Sequence, residues 1–417
     1  MSKITDPLVR PFAGLRPAAG RAAEVAAPPY DVVSGDEALT LVADRPYSFL
    51  HVSRAEIDLP PHTDRYSAEV YARAAYNLRS FEAQGVLVRD QAEAFYVYRM
   101  TARGKRQTGV AFSASIDAYL ANRIRKHELT RPTKEDDRVR QIEAVDVITG
   151  PVLLVHRSDA NLAATLAHVC AGPADAIVPD LDGVCHELWV VSDTAQITRI
   201  ADRLNSMEAL YIADGHHRAA AATRVAAARR THNKSHDGSE PYNGFLAVSF
   251  PDDEVTILDY NRLICDLNAH EPAEFRAGLQ QSFDLQPSND PVRPTQPQSF
   301  GMYLDGRWYT LTPRAPVAKS DPVERLDVRL LERMVLEPLL GIDDSTTNPR
   351  IDFVGGSRGP TALAKRIDSG EFAVGFTLFP TAMADLMAVA DGGQIMPPKS
   401  TWFDPKLADG LISLPLI

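Results

Sequence analysis

The sequence predicts an α+β protein: a mixed α/β body followed by an additional α/β layer at the C-terminus. Three observations carry that expectation. A strand runs through a glycine turn into an Ala-rich helix between Leu210 and Arg230, apolar strands flank a turn over 94–116, and the last third alternates strand-like with helix-like segments. Of the 417 residues, 45% are hydrophobic and 24% charged, the mix of a chain that buries a sizeable core.

Residues 1–45 are rich in Ala and Pro, and Pro28-Pro29 demands extended backbone, so this stretch reads as loop. Ser48 to Val52 reads as a strand. Over Arg65 to Gln84 the spacing of Val70, Ala74, Leu78 and Phe81 predicts a helix, and Gly85 stops it. Segments 94–100 and 107–116 form a hairpin around Arg103-Gly104-Lys105-Arg106. Segments 150–156 and 186–191 are strands and 195–207 is a helix. Leu210 to Ala213 is a strand feeding a helix from His216 to Arg230. Segments 244–250 and 255–259 read as a second hairpin. Four prolines and no hydrophobic period make 286–300 a surface linker or long loop. This linker divides the chain into an N-terminal and central region, 1–285, and a C-terminal region, 301–417. In the latter, helices are expected at 326–340, 360–367 and 381–390, with strands at 351–354, 372–378 and 410–416.

Charge and composition exclude several classes. The net charge is −11, with basic residues interleaved among acidic ones, which speaks against nucleic acid as the main partner. No run reaches the roughly 18 apolar residues that a membrane helix needs, and Met1 to Asp6 lacks the profile of a secretory signal. A cytoplasmic protein is expected. Cys170, Cys185 and Cys265 are too few and too widely spaced for a disulfide framework and read as reduced, buried thiols.

Three polar segments carry candidate chemistry. In Ile212-Ala213-Asp214-Gly215-His216-His217-Arg218, a strand, a tight turn and a helix start leave backbone N–H groups and a helix dipole facing an anion. Gly215 permits close approach, and His216, His217 and Arg218 add hydrogen-bonding and positive character. Asp214 repels a bare phosphate unless a cation lies between them, which favours a metal–nucleotide with Mg²⁺ on Asp214. The other reading of Asp214 is a plain helix N-cap. In the charged segment 125–138, Lys126, Lys134 and Arg138 can clamp phosphates and Glu128 can take a hydroxyl proton, with a capping box at Thr133–Asp136. The alternative is a solvated, salt-bridged face. In the tail, the Pro-stiffened loop presents Lys399, Ser400 and Thr401. It either closes over a phosphate or is a tail pinned by Trp402 and Phe403.

At these segments the chain resembles the bacterial and archaeal family known as domain of unknown function 1015. The matching residues are Lys126-His127-Glu128, Thr130, Lys134-Glu135, Asp137-Arg138, Asp214 to Arg218, Tyr260-Asn261-Arg262, Met396 to Thr401, Phe403 and Pro405-Lys406-Leu407. Pro11-Phe12 and Ala27-Pro28-Pro29-Tyr30-Asp31-Val32 also fit. More distantly, the Asp-Gly-His-His-Arg turn looks like the nucleotide-binding turn of the ParB/sulfiredoxin superfamily, which includes free-serine kinases.

That resemblance implies a ParB/sulfiredoxin-like core and phosphotransfer from ATP or ADP to a small hydroxyl compound, L-serine first among them. It implies Mg²⁺ on Asp214 and phosphate contacts from Gly215, His216, His217 and Arg218. Glu128 is the expected general base, with Asp214 and His217 beside it in the catalytic group. Lys126, His127, Thr130, Lys134, Arg138, Lys399, Ser400 and Thr401 complete the expected phosphate-binding set. Sulfiredoxins need a cysteine in this turn, which the sequence lacks. A non-catalytic nucleotide-binding regulator and a ParB-like DNA-associated protein are the competing readings, and the acidic balance speaks against the latter.

Overall fold

The computed structural model describes residues 7–315 and 321–417. The Met1 to Asp6 terminus, compared above with a secretory signal, lies outside the described residues. The chain forms two compact units, one of Met1–Val255 with Pro405–Ile417 and the other of Thr256–Asp404.

The first unit is built on a nine-stranded mixed sheet. Its order is Ile124–Arg125, Leu210–Asp214, Val152–His156, Gly244–Pro251, Lys105–Ser115, Phe95–Ala102, Val184–Val191 and Ala176–Leu181, with Val9–Arg10 paired to Lys105–Ser115. The expected hairpin is present, and its turn places Arg103 and Gly104 at φ 48° and 75°. Val152–His156 is buried along its whole length, as its unbroken apolar run requires for a central strand. Helix Ala68–Ala83 buries Val70, Ala74, Leu78 and Phe81, the residues whose period predicts it, in a core that also takes Phe49, Leu50 and Val145. Helix Pro132–Val145 packs between Ala68–Ala83 and the Ala-rich helix His216–His232.

The second unit has a six-stranded antiparallel sheet in the order Phe283–Ser288, Arg307–Pro313, Phe300–Leu304, Val374–Leu378, Tyr260–Ile264 and Ile351–Gly355. Helix Gly359–Asp368 packs on it, burying Leu363 beside Leu263, Tyr303 and Trp308. Together the units are a mixed α/β architecture consistent with the α+β expectation.

Several local expectations differ from the structure. The break between 1–285 and 301–417 falls inside the second unit, because strands on both sides of the Pro-rich stretch pair with Arg307–Pro313. Residues 255–259 do not complete a hairpin; Ile257–Leu258 pairs with Trp402–Phe403 at the point where the units divide. The 410–416 strand shrinks to Leu414–Pro415, which pairs with Val147–Ile148 in the first unit.

Ser48 to Val52 is not a strand, and the chain turns into helix Leu50–Ser53 with its apolar side chains in the helical core. Gly35–Val42 is a helix within the expected loop, started by a capping box between Ser34 and Glu37. The 326–340 helix is cut short: Asp327–Leu331 passes into a wider π turn at Glu332–Leu336. The cysteines are free thiols, but none is fully buried as expected: Cys170 and Cys185 are half-buried and Cys265 is exposed.

Candidate functional site

Strand pairing brings two of the three polar segments together. Ile124 and Arg125 pair in parallel with Leu210 and Tyr211, so both chains leave the sheet at the same end. The residues after Arg125 then reach the helix start, His127 beside His216 and Arg131 beside His217. In open α/β sheets, ligands bind in the crevice beyond such carboxyl ends. The backbone N–H of Arg131 donates to Nε2 of His217 at 2.9 Å, and that of His127 lies 3.5 Å from Nε2 of His216.

The turn does not use Asp214 as a cap. Gly215 occupies the N-cap position at φ 95° and ψ 28°, and no side chain caps the seventeen-residue helix His216–His232. The Asp214 carboxylate instead accepts from its neighbour, the Gly215 N–H, at 3.0 Å. A positive φ here needs glycine, and an added Cβ would approach Arg218 Nε to 3.1 Å and Val152 Cα to 3.3 Å.

Asp214 faces two cations. Lys406 Nζ lies 3.2 Å and Arg218 Nη2 3.6 Å from its Oδ2. Burial alone would raise the acid's pKa, but Lys406 and Arg218 outweigh it and hold the carboxyl well below the usual range. Arg218 is buried, donates from Nη1 to the Pro151 carbonyl and sits 3.5 Å from Asp31. Its desolvation is offset by Asp31, Asp214, Tyr30 and Asp409, which keep the guanidinium protonated. Asp409 is buried among these groups, and burial pushes its carboxyl up to about 7 against the pull of Arg218. Its Oδ2 accepts from the Tyr30 N–H at 3.2 Å.

His127 and His216 are both buried, and their rings meet edge to face with centroids 4.5 Å apart. Burial pushes the His127 ring down to about 4. It drives His216 well below its ordinary value, with the neighbouring His127 adding to the effect. Both rings are therefore neutral near pH 7. Glu128, half-buried, brings Oε2 to 3.8 Å from His216 Nδ1.

The remaining expected site residues take other places. Arg138 is buried, bonds Asp137 at 2.6 Å and stacks over the Tyr30 ring at 3.9 Å, so its charge is engaged in packing. Tyr71 donates to that same Asp137 at 2.9 Å. Lys126 and Lys134 are exposed and Thr130 is half-buried; Lys126 Nζ lies 5.9 Å from the Tyr119 ring. The expected capping box at Thr133–Asp136 does not form: Arg131 is the N-cap and Pro132 takes the first helical turn.

Lys399, Ser400 and Thr401 belong to the second unit. Ser400 is buried, donates to the Pro397 carbonyl at 2.6 Å and accepts at its own carbonyl from Thr381, so it braces the loop. Lys399 is exposed at φ 57°, with Nζ 5.6 Å from the Tyr260 ring.

Tyr30, Asp31, Lys406 and Asp409 were not among the expected site residues. Tyr30, Asp31 and Lys406 lie within segments that carry the family resemblance, but nothing in their spacing points to a turn 192 residues from Lys406.

Of the comparisons with known proteins, one identifies a family. The profile of the family described as "Protein of unknown function (DUF1015)" matches residues 9–329. The chain belongs to this family. No curated protein matches its sequence.

Solved structures similar to the chain include a conserved hypothetical protein from Pyrococcus furiosus, at 12% identity and TM-score 0.34, covering 72% of this chain and 93% of that one. SbnI with a C-terminal truncation, from Staphylococcus aureus, is 11% identical with TM-score 0.38, covering 72% of this chain and 85% of that one. A free serine kinase in complex with AMP is 12% identical with TM-score 0.34, covering 71% of this chain and 86% of that one. Likeness at this level says nothing of what this chain binds. Among the described residues, no helix is long and apolar enough to cross a membrane.

Proposed function

We propose that the Asp214–Arg218 turn binds the phosphates of ATP or ADP and that the protein transfers a phosphoryl group to a small hydroxyl metabolite, free L-serine first among candidates. The observation that carries this reading is the helix start at His216. It is entered through a left-handed glycine, lacks a side-chain cap and lies beside the Glu128 segment. Such a start offers backbone N–H groups and the positive end of the helix dipole to an anion. Arg218 and Lys406 add two cations at the same turn.

In this reading the acceptor hydroxyl oxygen forms a bond to the terminal phosphorus as the bond from phosphorus to the bridging oxygen breaks. The hydroxyl proton passes to the Glu128 carboxylate, and the shortened nucleotide leaves with the bridging oxygen. His216 and His217 hold position at the mouth of the turn. Within the turn, Asp214 offers the oxygen ligand suited to Mg²⁺, which would supply charge neutralisation on the phosphates. Because Asp214 already faces Lys406 and Arg218, the cation has to exchange with them.

The grouping with ParB/sulfiredoxin-like nucleotide-binding proteins and a cytoplasmic location belong to the same proposal. Mass-spectrometric screening tests it, using purified protein with Mg²⁺, ATP or ADP, and a pool of hydroxyl metabolites headed by L-serine. A phosphorylated product supports the transferase and names its acceptor. Nucleotide binding without product from any acceptor points to the non-catalytic regulator, and absence of nucleotide binding overturns both.

A further inference from the structure

His127, Glu128 and His216 have a property that phosphotransfer does not require. One ligand atom from each of the three side chains lies within 4.8 Å of the others, the one such group among the described residues. Ligands at about 2.1 Å from a shared tetrahedral ion stand roughly 3.4 Å apart, so small side-chain shifts close the group on a single cation.

A buried histidine pair more often has its nitrogens satisfied by neighbours. Here the Nδ1 of His127, on a ring only 2% exposed, is buried without a hydrogen-bond partner. The Ile212 backbone is the polar group that the same ring meets on its other side. An imidazole fixed through one nitrogen with the other bare is how metal-binding histidines are oriented. The 3.5 Å contact at His216 Nε2 is too long to be a strong competitor.

We propose that His127, His216 and Glu128 bind a borderline divalent transition-metal cation such as Zn²⁺ or Co²⁺. Two imidazoles and one carboxylate suit such ions, whereas Mg²⁺ prefers an all-oxygen shell. Three protein ligands leave a coordination position for water or a phosphate oxygen. The site goes beyond the nucleotide reading and does not depend on it. A carboxylate holding a cation is a weaker base, so if both hold, Zn²⁺ slows the transfer that Mg²⁺ supports.

The test uses the full chain, stripped with a chelator and without nucleotide, titrated with Co²⁺ while visible absorption is recorded. The expected result is one Co²⁺ per chain, with the intense bands of a four- or five-coordinate ion, displaced by Zn²⁺ but not by Mg²⁺. Glu128→Ala, at a half-buried and accessible side chain, is expected to weaken binding by at least the roughly 10–100-fold that loss of an outer-shell partner costs. His216→Gln, with folding checked by circular dichroism, is expected to abolish the bands, while Asp214→Asn retains them. Absence of Co²⁺ uptake by the folded wild type overturns the proposal. So does uptake unchanged in both Glu128→Ala and His216→Gln, or uptake lost in Asp214→Asn and kept in Glu128→Ala. Nucleotide binding by the stripped chain in Mg²⁺ alone scores the phosphotransfer reading separately.

Discussion

Lys406 Nζ lies 3.2 Å from Oδ2 of Asp214, joining the C-terminal segment to the helix start across 192 residues. The pair stabilises the ionised acid. A carboxyl with a depressed folded pKa contributes stability above its unfolded value and loses it as pH falls through the folded one. Lys406→Met is therefore expected to cost about 1 kcal/mol near pH 7, a modest figure because both groups touch solvent. The difference from wild type narrows below about pH 4 as the unfolded chain's Asp protonates. Urea unfolding across pH measures it, and a difference independent of pH would deny the ion pair its role.

Arg218 joins Asp31, Asp214 and the Pro151 carbonyl with a buried guanidinium. A lysine keeps the charge but not the planar fork of donors. Arg218→Lys is expected to lose about 2–4 kcal/mol, within reach of the penalty for breaking a buried pair. Stability equal to wild type would show that a point charge suffices.

Gly215→Ala places a Cβ at φ 95° and 3.3 Å from the Val152 backbone. Strain of this kind costs about 1–3 kcal/mol. A melting temperature lowered accordingly, with nucleotide affinity reduced at the distorted helix start, is the expected outcome. An unchanged melting temperature would show that the turn relaxes freely.

Glu128→Gln removes the proposed proton acceptor while keeping the side chain's size. Turnover is expected to fall by about 10²-fold or more with little change in nucleotide affinity. If turnover stays at the wild-type rate, Glu128 has no part in the chemistry.

Burial lowers the His127 ring to about 4 and His216 well below its ordinary value. Above pH 6.5 both are neutral in either state. As pH falls below that, the unfolded chain takes up protons that the folded one refuses, so stability declines until the folded rings titrate. For His127 alone the loss is on the order of 3 kcal/mol by pH 4. Chemical unfolding of the wild type and His127→Gln between pH 7 and 4 should show the variant losing less.

Local sequence rules were sufficient where the signal is local. The period of Val70, Ala74, Leu78 and Phe81 gives the Ala68–Ala83 helix, and the apolar run within 150–156 gives a buried strand that starts at Val152. The strand, glycine turn and helix at 210–232 follow from the same reasoning. It failed where partners are distant. Residues 255–259 look like the return arm of a hairpin, yet their partner is Trp402–Phe403. The prolines of 286–300 look like a linker, yet strands on either side share one sheet.

The sequence by itself determined the secondary structure around the Asp214 turn and marked Glu128, His127 and His216 as residues capable of chemistry. The tertiary structure alone decided which of these meet. The parallel pairing of Ile124–Arg125 with Leu210–Tyr211 sets Glu128 beside His216, while Arg138 from the same charged segment turns inward to Asp137 and Tyr30. It also delivers Lys406 to Asp214, because contacts between loops far apart in sequence are fixed by sheet register and packing and leave no period or spacing to read.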